Sequence, residues 1–128
     1  MKRKLVLGVI ASAALLFSCG HGGIDFRGIY DELTENGTKN TKALFIKEND
    51  TCIGFDTNPF DIDNYLNPDA VSLAYSMTRK VGFSEVTWWK MLRTAAVDGI
   101  QTEETKHVSA TWCYHPDRGL ECIFAYLH

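Results

Sequence analysis

Cys52, Cys113 and Cys122, together with His107 and His115, are the residue types that build a tetrahedral zinc site or a thiolate nucleophile with an imidazole base. Their spacing argues against both. The one close pair, Cys113 and His115, has a single residue between its members, where a zinc knuckle has two. No nucleophile signature surrounds any of the three thiols. The expectation is a chain with no metal, no cofactor and no catalytic residue. Asp61-Ile62-Asp63-Asn64 sets carboxylates at alternate positions, as a calcium loop does, but the match then fails. Tyr65 and Leu66 fall where a ligand and the turn glycine belong, and Ser72 stands in place of the closing glutamate. A solvated loop with helix-capping acids is the better reading. Trp88, Trp89 and Trp112 offer aromatic faces on which a sugar or peptide can stack.

The fourth cysteine, Cys19, has a different setting. Lys2, Arg3 and Lys4 form a positive stretch, and Leu5 to Phe17 is an uncharged, mostly apolar run of 13 residues. A membrane-spanning helix needs about 20 residues, so length and flanks read as a secretory signal. The run ends in Leu16-Phe17-Ser18-Cys19, which resembles the lipobox of bacterial lipoproteins through Leu16, Ser18 and Cys19. The resemblance covers the first 19 residues. It implies cleavage before Cys19, a diacylglycerol on its sulfur, and an acylated amine. Several acyl chains, at about 0.8 kcal/mol per buried methylene, make a durable anchor. Gly20, where an aspartate would retain such a protein in the inner membrane, implies sorting to the outer membrane. The partner implied is thus the membrane, through lipid on Cys19, with the domain facing the periplasm. If the lipobox reading fails, the chain is expected to be secreted without lipid.

Removing the signal changes the charge. The chain carries 13 basic and 16 acidic residues, and loss of Lys2, Arg3 and Lys4 leaves 10 against 16, a net −6. A domain of that sign is repelled by nucleic-acid phosphates, so nucleic acid is excluded as a partner. Export also bears on the thiols. An oxidising compartment makes a disulfide the default for Cys113 and Cys122. Cys52 is left over, either as a small buried hydrophobe or as a competitor for one of the two; if the signal is cut earlier and Cys19 is not lipidated, two bridges become possible.

The elements that must position these residues can be read from patterning. A chain of 128 residues has room for one domain. Residues 1–18 read as the signal peptide, 19–23 as the lipidated cysteine and a short tether, and 24–128 as a single globular α+β domain. Ile24 to Leu33 fits a strand or a short helix equally. Residues 43–47 and 51–55 flank Asn49-Asp50, a two-residue hairpin turn, and Gly54 marks a candidate bulge. Asn67-Pro68-Asp69 starts a helix on which Ala70, Leu73, Ala74, Met77 and Val81 share a face, with Gly82 to stop it. A second helix is capped by Ser84 and runs towards Gly99. Its apolar arc takes in Trp88, Trp89, Met91, Leu92, Ala95 and Ala96.

At the C-terminus, 107–114 and 120–127 are strand-like runs around His115-Pro116-Asp117-Arg118-Gly119. A four-residue loop over 116–119 pairs His115 with Leu120 and Cys113 with Cys122. In that register Val108, Ala110, Trp112, Ile123, Ala125 and Leu127 form one apolar face. Cross-strand neighbours can meet the 4.4–6.8 Å Cα separation a disulfide needs, and so short a loop gains about 2–3 kcal/mol on the entropy account. The fold expected is α+β: a small antiparallel sheet, made of an N-terminal hairpin and a disulfide-stapled C-terminal hairpin, packed on two amphipathic helices through Trp112 and Ile123. All three tryptophans are expected in the core, with Trp89 nearest the edge of its arc. Trp89 and the turn residues His115, Asp117 and Arg118 are the candidates for contact with a partner. The function expected is a non-catalytic, protein-binding accessory domain of an outer-membrane lipoprotein. Alternatives are an inhibitor or immunity protein against a cell-wall or lytic enzyme, and a secreted, disulfide-containing binding protein.

Overall fold

Three side chains start the three α-helices of the described residues, each by capping a backbone N–H that the first turn leaves free. Asp25 accepts from Gly28 N–H at 3.1 Å and opens α1, Phe26–Leu33. Asn67 accepts from Ala70 N–H at 3.1 Å and opens α2, Pro68–Lys80, with proline at the first position and Asp69 in the first turn. Ser84 accepts from Thr87 N–H at 3.3 Å and opens α3, Glu85–Leu92. The second and third starts are where the sequence puts them. The computed structural model describes residues 22–37, 42–61 and 67–127. The signal segment, Cys19 and Ile62 to Leu66 of the acidic loop lie outside the described residues.

Five strands form one antiparallel sheet: β1, Leu44–Lys47; β2, Cys52–Asp56; β3, Gln101–Glu104; β4, Val108–His115; and β5, Gly119–Tyr126. Their order across the sheet is β1-β2-β5-β4-β3. The two expected hairpins are therefore side by side, β2 against β5, and the architecture is α+β. Strand β3 has no apolar residue and gives no period to read. It survives as an edge strand because its charged side chains suit a position with one open side.

Four expectations are corrected. The first hairpin closes with the four-residue loop Glu48–Thr51, since Lys47 pairs with Cys52. Glu48, Asn49 and Asp50 all have positive φ there. No bulge occurs at Gly54, where the pairing from Leu44↔Phe55 to Lys47↔Cys52 runs unbroken. Helix α3 ends at Leu92, seven residues before Gly99. The Thr94 hydroxyl donates to Lys90 O at 2.9 Å and takes the Trp112 indole N–H at 2.9 Å, which ties the chain down just beyond the helix.

The fourth correction reverses a face. The C-terminal turn holds three residues, not four, because Gly119 adopts φ 77° and pairs with His115. The loop is thus 116–118, and it runs directly into a left-handed glycine at the first position of β5. The register is thereby one residue from the expected one: Trp112 faces Cys122 and Cys113 faces Glu121. A slip of one turns every side chain of β5 over. Ile123, expected in the core, is 49% exposed, and Leu120, Cys122 and Phe124 are buried instead. Cys113 and Cys122 point to opposite faces of the sheet, and both are free thiols.

One face of the sheet carries the core. Leu44, Ile53, Phe55, Val108, Ala110, Trp112 and Phe124 meet Phe26, Ala74, Met77, Val81, Phe83, Trp88 and Met91 from the helical layer. Phe55 meets the edge of Trp88 at 6.2 Å between ring centroids, and Phe83 lies 5.7 Å from Phe124. Tyr126 fastens the N-terminus to the last strand. Its ring stacks on Phe26 at 3.8 Å, its hydroxyl donates to Ile24 O at 3.0 Å, and the same hydroxyl oxygen accepts the Phe26 N–H at 2.7 Å. No helix among the described residues is long and apolar enough to cross a membrane.

Candidate functional site

With the helices on one side, alternation along the strands puts a second set of side chains on the other. Phe45, Cys52, Gly54, Asp56, Thr111, Cys113, Glu121 and Ile123 follow one another across this second face. A cavity of about 400 Å³ opens there. Phe45, Ile100 and Ile123 give it apolar walls, while Asp56, Glu121 and Cys113 bring polar atoms.

Gly54 lets the Phe45 wall lie close against the sheet. A Cβ on Gly54 would stand 2.3 Å from the Cys122 carbonyl oxygen and 2.3 Å from the Phe45 ring. The aromatic ring of β1 therefore lies over the one position of β2 without a side chain, a cross-strand pair that covers bare backbone.

Asp56 and Glu121 stand directly opposite each other on β2 and β5. Like charges so placed oppose sheet formation by about 0.2–1 kcal/mol. Burial pushes the Asp56 carboxyl up from its ordinary range; the Asn58 N–H it accepts at 2.8 Å and the charge of Arg118 work the other way, and Asp61 adds to the rise. Burial likewise raises the Glu121 carboxyl. Asp56 and Asp61 push it further, and Arg118 and His115 partly offset them. All five ion pairs among the described residues lie elsewhere.

The β4–β5 turn is tied to the chain just beyond β2. Asn58 donates from its side-chain amide to Asp117 O at 3.1 Å, and Thr57 accepts the Leu120 N–H through its hydroxyl at 2.9 Å. His115 accepts the Asp117 N–H on Nδ1 at 3.1 Å. Gly119 is required twice over, by its φ and because a Cβ would come within 2.8 Å of Asn58 and Thr57.

Of the residues singled out from the sequence, His115, Asp117 and Arg118 are together at this turn, beside the acidic pair. Trp89 is not with them. It is 54% exposed on α3, in the layer on the far side of the sheet, with the Arg93 guanidinium 5.8 Å from its ring centroid. The expectation of three core tryptophans thus holds for Trp88 and Trp112 and fails for Trp89, because α3 buries only the row Thr87, Trp88 and Met91. Cys52 and Cys113 share the open face four positions apart along the strands, and Cys122 is on the core face. Among the described residues, no group of three His, Cys, Asp or Glu is placed to hold a metal ion. Phe45, Asp56 and Glu121 went unremarked in the sequence as site residues. Alternation in Cys52–Asp56 and in 121–125 was the signal, and it becomes readable only once the register is known.

Comparison with known protein families, curated proteins and solved structures finds no match for this chain.

Proposed function

We propose that this chain is an exported lipoprotein, anchored at the outer membrane through Cys19, whose α+β domain is a non-catalytic binding module. The observation that carries the binding role is the open sheet face, where apolar walls and an acidic pair surround one cavity beside a pinned turn. Protein-binding sites combine apolar area with a few placed polar groups in this way. The pinned turn also supports the inhibitor reading. Asp117 is exposed at its tip, and a loop already fixed in place loses little freedom when inserted into a partner's cleft.

Two measurements test the proposal. Radiolabelled palmitate is incorporated by the wild-type chain in its host and not by Cys19→Ala; equal labelling of both overturns the anchor and leaves a secreted protein. For the binding face, the tagged chain is used to capture partners from envelope extract. Ile123→Arg abolishes capture of the specific partner, whereas Val97→Arg, outside the cavity lining, leaves it intact. Capture that survives Ile123→Arg overturns the assignment of this face. A captured hydrolase whose activity falls on binding selects the inhibitor role.

A further inference from the structure

We infer that the cavity on the open sheet face receives a lysine or arginine side chain, flanked by an apolar residue, from a protein partner, with its cationic head between Asp56 and Glu121. This deepens the binding role proposed above and rests on it.

The acids define the head group. Asp56 and Glu121 oppose each other across β2 and β5, and neither forms an ion pair within 4 Å among the described residues. The Asp56 carboxylate takes one backbone N–H, from Asn58, and the Glu121 carboxylate takes no hydrogen bond from any described residue. Arg118 and His115 are near enough to influence Glu121 without bonding to it. Neither of them lines the cavity; Lys42 does, and it holds its ammonium over the Phe60 ring at 5.9 Å. Two carboxylates opposed in a sheet and left without a salt bridge are a standing cost, and an incoming cation converts it into attraction. The uncompensated negative charge of the domain repels an anionic group from the same place.

The walls define the rest. Phe45, Ile100 and Ile123 are apolar, and Ile100 and Ile123 are exposed. At about 400 Å³ the space is at the small end of ligand pockets, enough for one or two side chains. Lysine and arginine carry a cation on an apolar stem, so the stem lies along the wall while the head reaches the acids. An apolar neighbour in the partner covers Ile123.

The test uses the full chain in mild detergent with three acetylated, amidated tripeptides: Phe-Lys-Phe, Phe-norleucine-Phe and Phe-Glu-Phe. The readouts are the dissociation constant and the rate of Cys113 alkylation by iodoacetamide, since Cys113 lines the cavity. The lysine peptide is expected to bind about tenfold more tightly than the norleucine peptide, the return from one charge-assisted contact. It slows alkylation of Cys113 and leaves that of Cys52 unchanged. Asp56→Asn/Glu121→Gln abolishes the preference, and a cooperative thermal transition shows that this variant is folded. Equal binding of the lysine and norleucine peptides reveals an apolar occupant and overturns the inference. So does a preference that persists in the double variant, and so does absence of binding by all three. If the peptides fail while Ile123→Arg still abolishes partner capture, the cation assignment falls and the binding face stands. If capture is also indifferent to Ile123→Arg, both fall.

Discussion

Replacing Gly54 by alanine tests the geometry of the open face directly. Glycine in a strand is ordinarily a weakness, and alanine there gains about 0.4–1 kcal/mol by restricting the unfolded chain. Here the sign reverses. The new methyl would meet the Cys122 carbonyl oxygen and the Phe45 ring, each at 2.3 Å. A ring can swing aside, but the carbonyl belongs to the central strand β5 and moves only with the sheet. Overpacking of this kind costs about 1–3 kcal/mol. After the unfolded-state gain, the net loss is about 1–2 kcal/mol, or a Tm lower by about 5–15 °C for a domain of this size. Thermal denaturation followed by circular dichroism, with urea titration for the free energy, measures it. A second comparison separates the two contacts. In a Phe45→Ala background the ring is gone and the carbonyl remains, so Gly54→Ala should still destabilise by at least half as much. An unchanged or higher Tm for Gly54→Ala alone refutes the close approach. A cost that vanishes in the Phe45→Ala background refutes the role of the β5 backbone.

The acidic pair makes a pH-dependent prediction. A carboxyl whose folded-state pKa is raised lends stability while protonated and withdraws it as the pH rises through that value. Asp56 and Glu121 are both raised, so Glu121→Gln should raise Tm at pH 7, by an amount set by the roughly 0.2–1 kcal/mol of an opposed pair. The gain should disappear below about pH 4, where both carboxyls are protonated; a constant gain at all pH values refutes this origin. The thiols offer a third check. In the native protein iodoacetamide should modify Cys52 and Cys113, both half-buried, while Cys122 reacts only on unfolding, since burial shields its sulfur and raises its pKa. Intact mass that rises by two protons on reduction, with Cys113 and Cys122 as the linked pair, contradicts the register. Finally, Tyr126→Phe leaves the Phe26 N–H and Ile24 carbonyl without their shared hydroxyl and should cost about 1–3 kcal/mol by urea titration. A loss near zero would show that water replaces it.

Local signals carried the helices. Asn67-Pro68-Asp69 and Ser84 are caps whose chemistry acts over three residues, so the starts of α2 and α3 were legible without knowledge of the rest. The strand runs of both hairpins were legible for a similar reason, being apolar stretches separated by turn residues. Strand β3 was not, because Gln101–Glu104 owes its conformation to pairing with β4 and not to its own pattern.

What the amino-acid sequence determined by itself is the α+β class, the starts of α2 and α3, and the apolar face of β4 at Val108, Ala110 and Trp112. Tertiary structure decided the other half of that hairpin. Both candidate registers set apolar residues opposite Trp112's row, Ile123 in one and Phe124 in the other, and the cysteine pairing favoured the wrong one. The choice fell to the left-handed Gly119, packed too closely on Thr57 and Asn58 to carry a side chain. That contact spans some 60 positions along the chain, between Thr57 and Leu120, and no local pattern encodes it. From it follow the exposure of Ile123, the separation of Cys113 from Cys122, and the meeting of Asp56 with Glu121. A cross-strand pair exists only once two distant strands have chosen their register, so the acidic pair could be found only in the folded molecule.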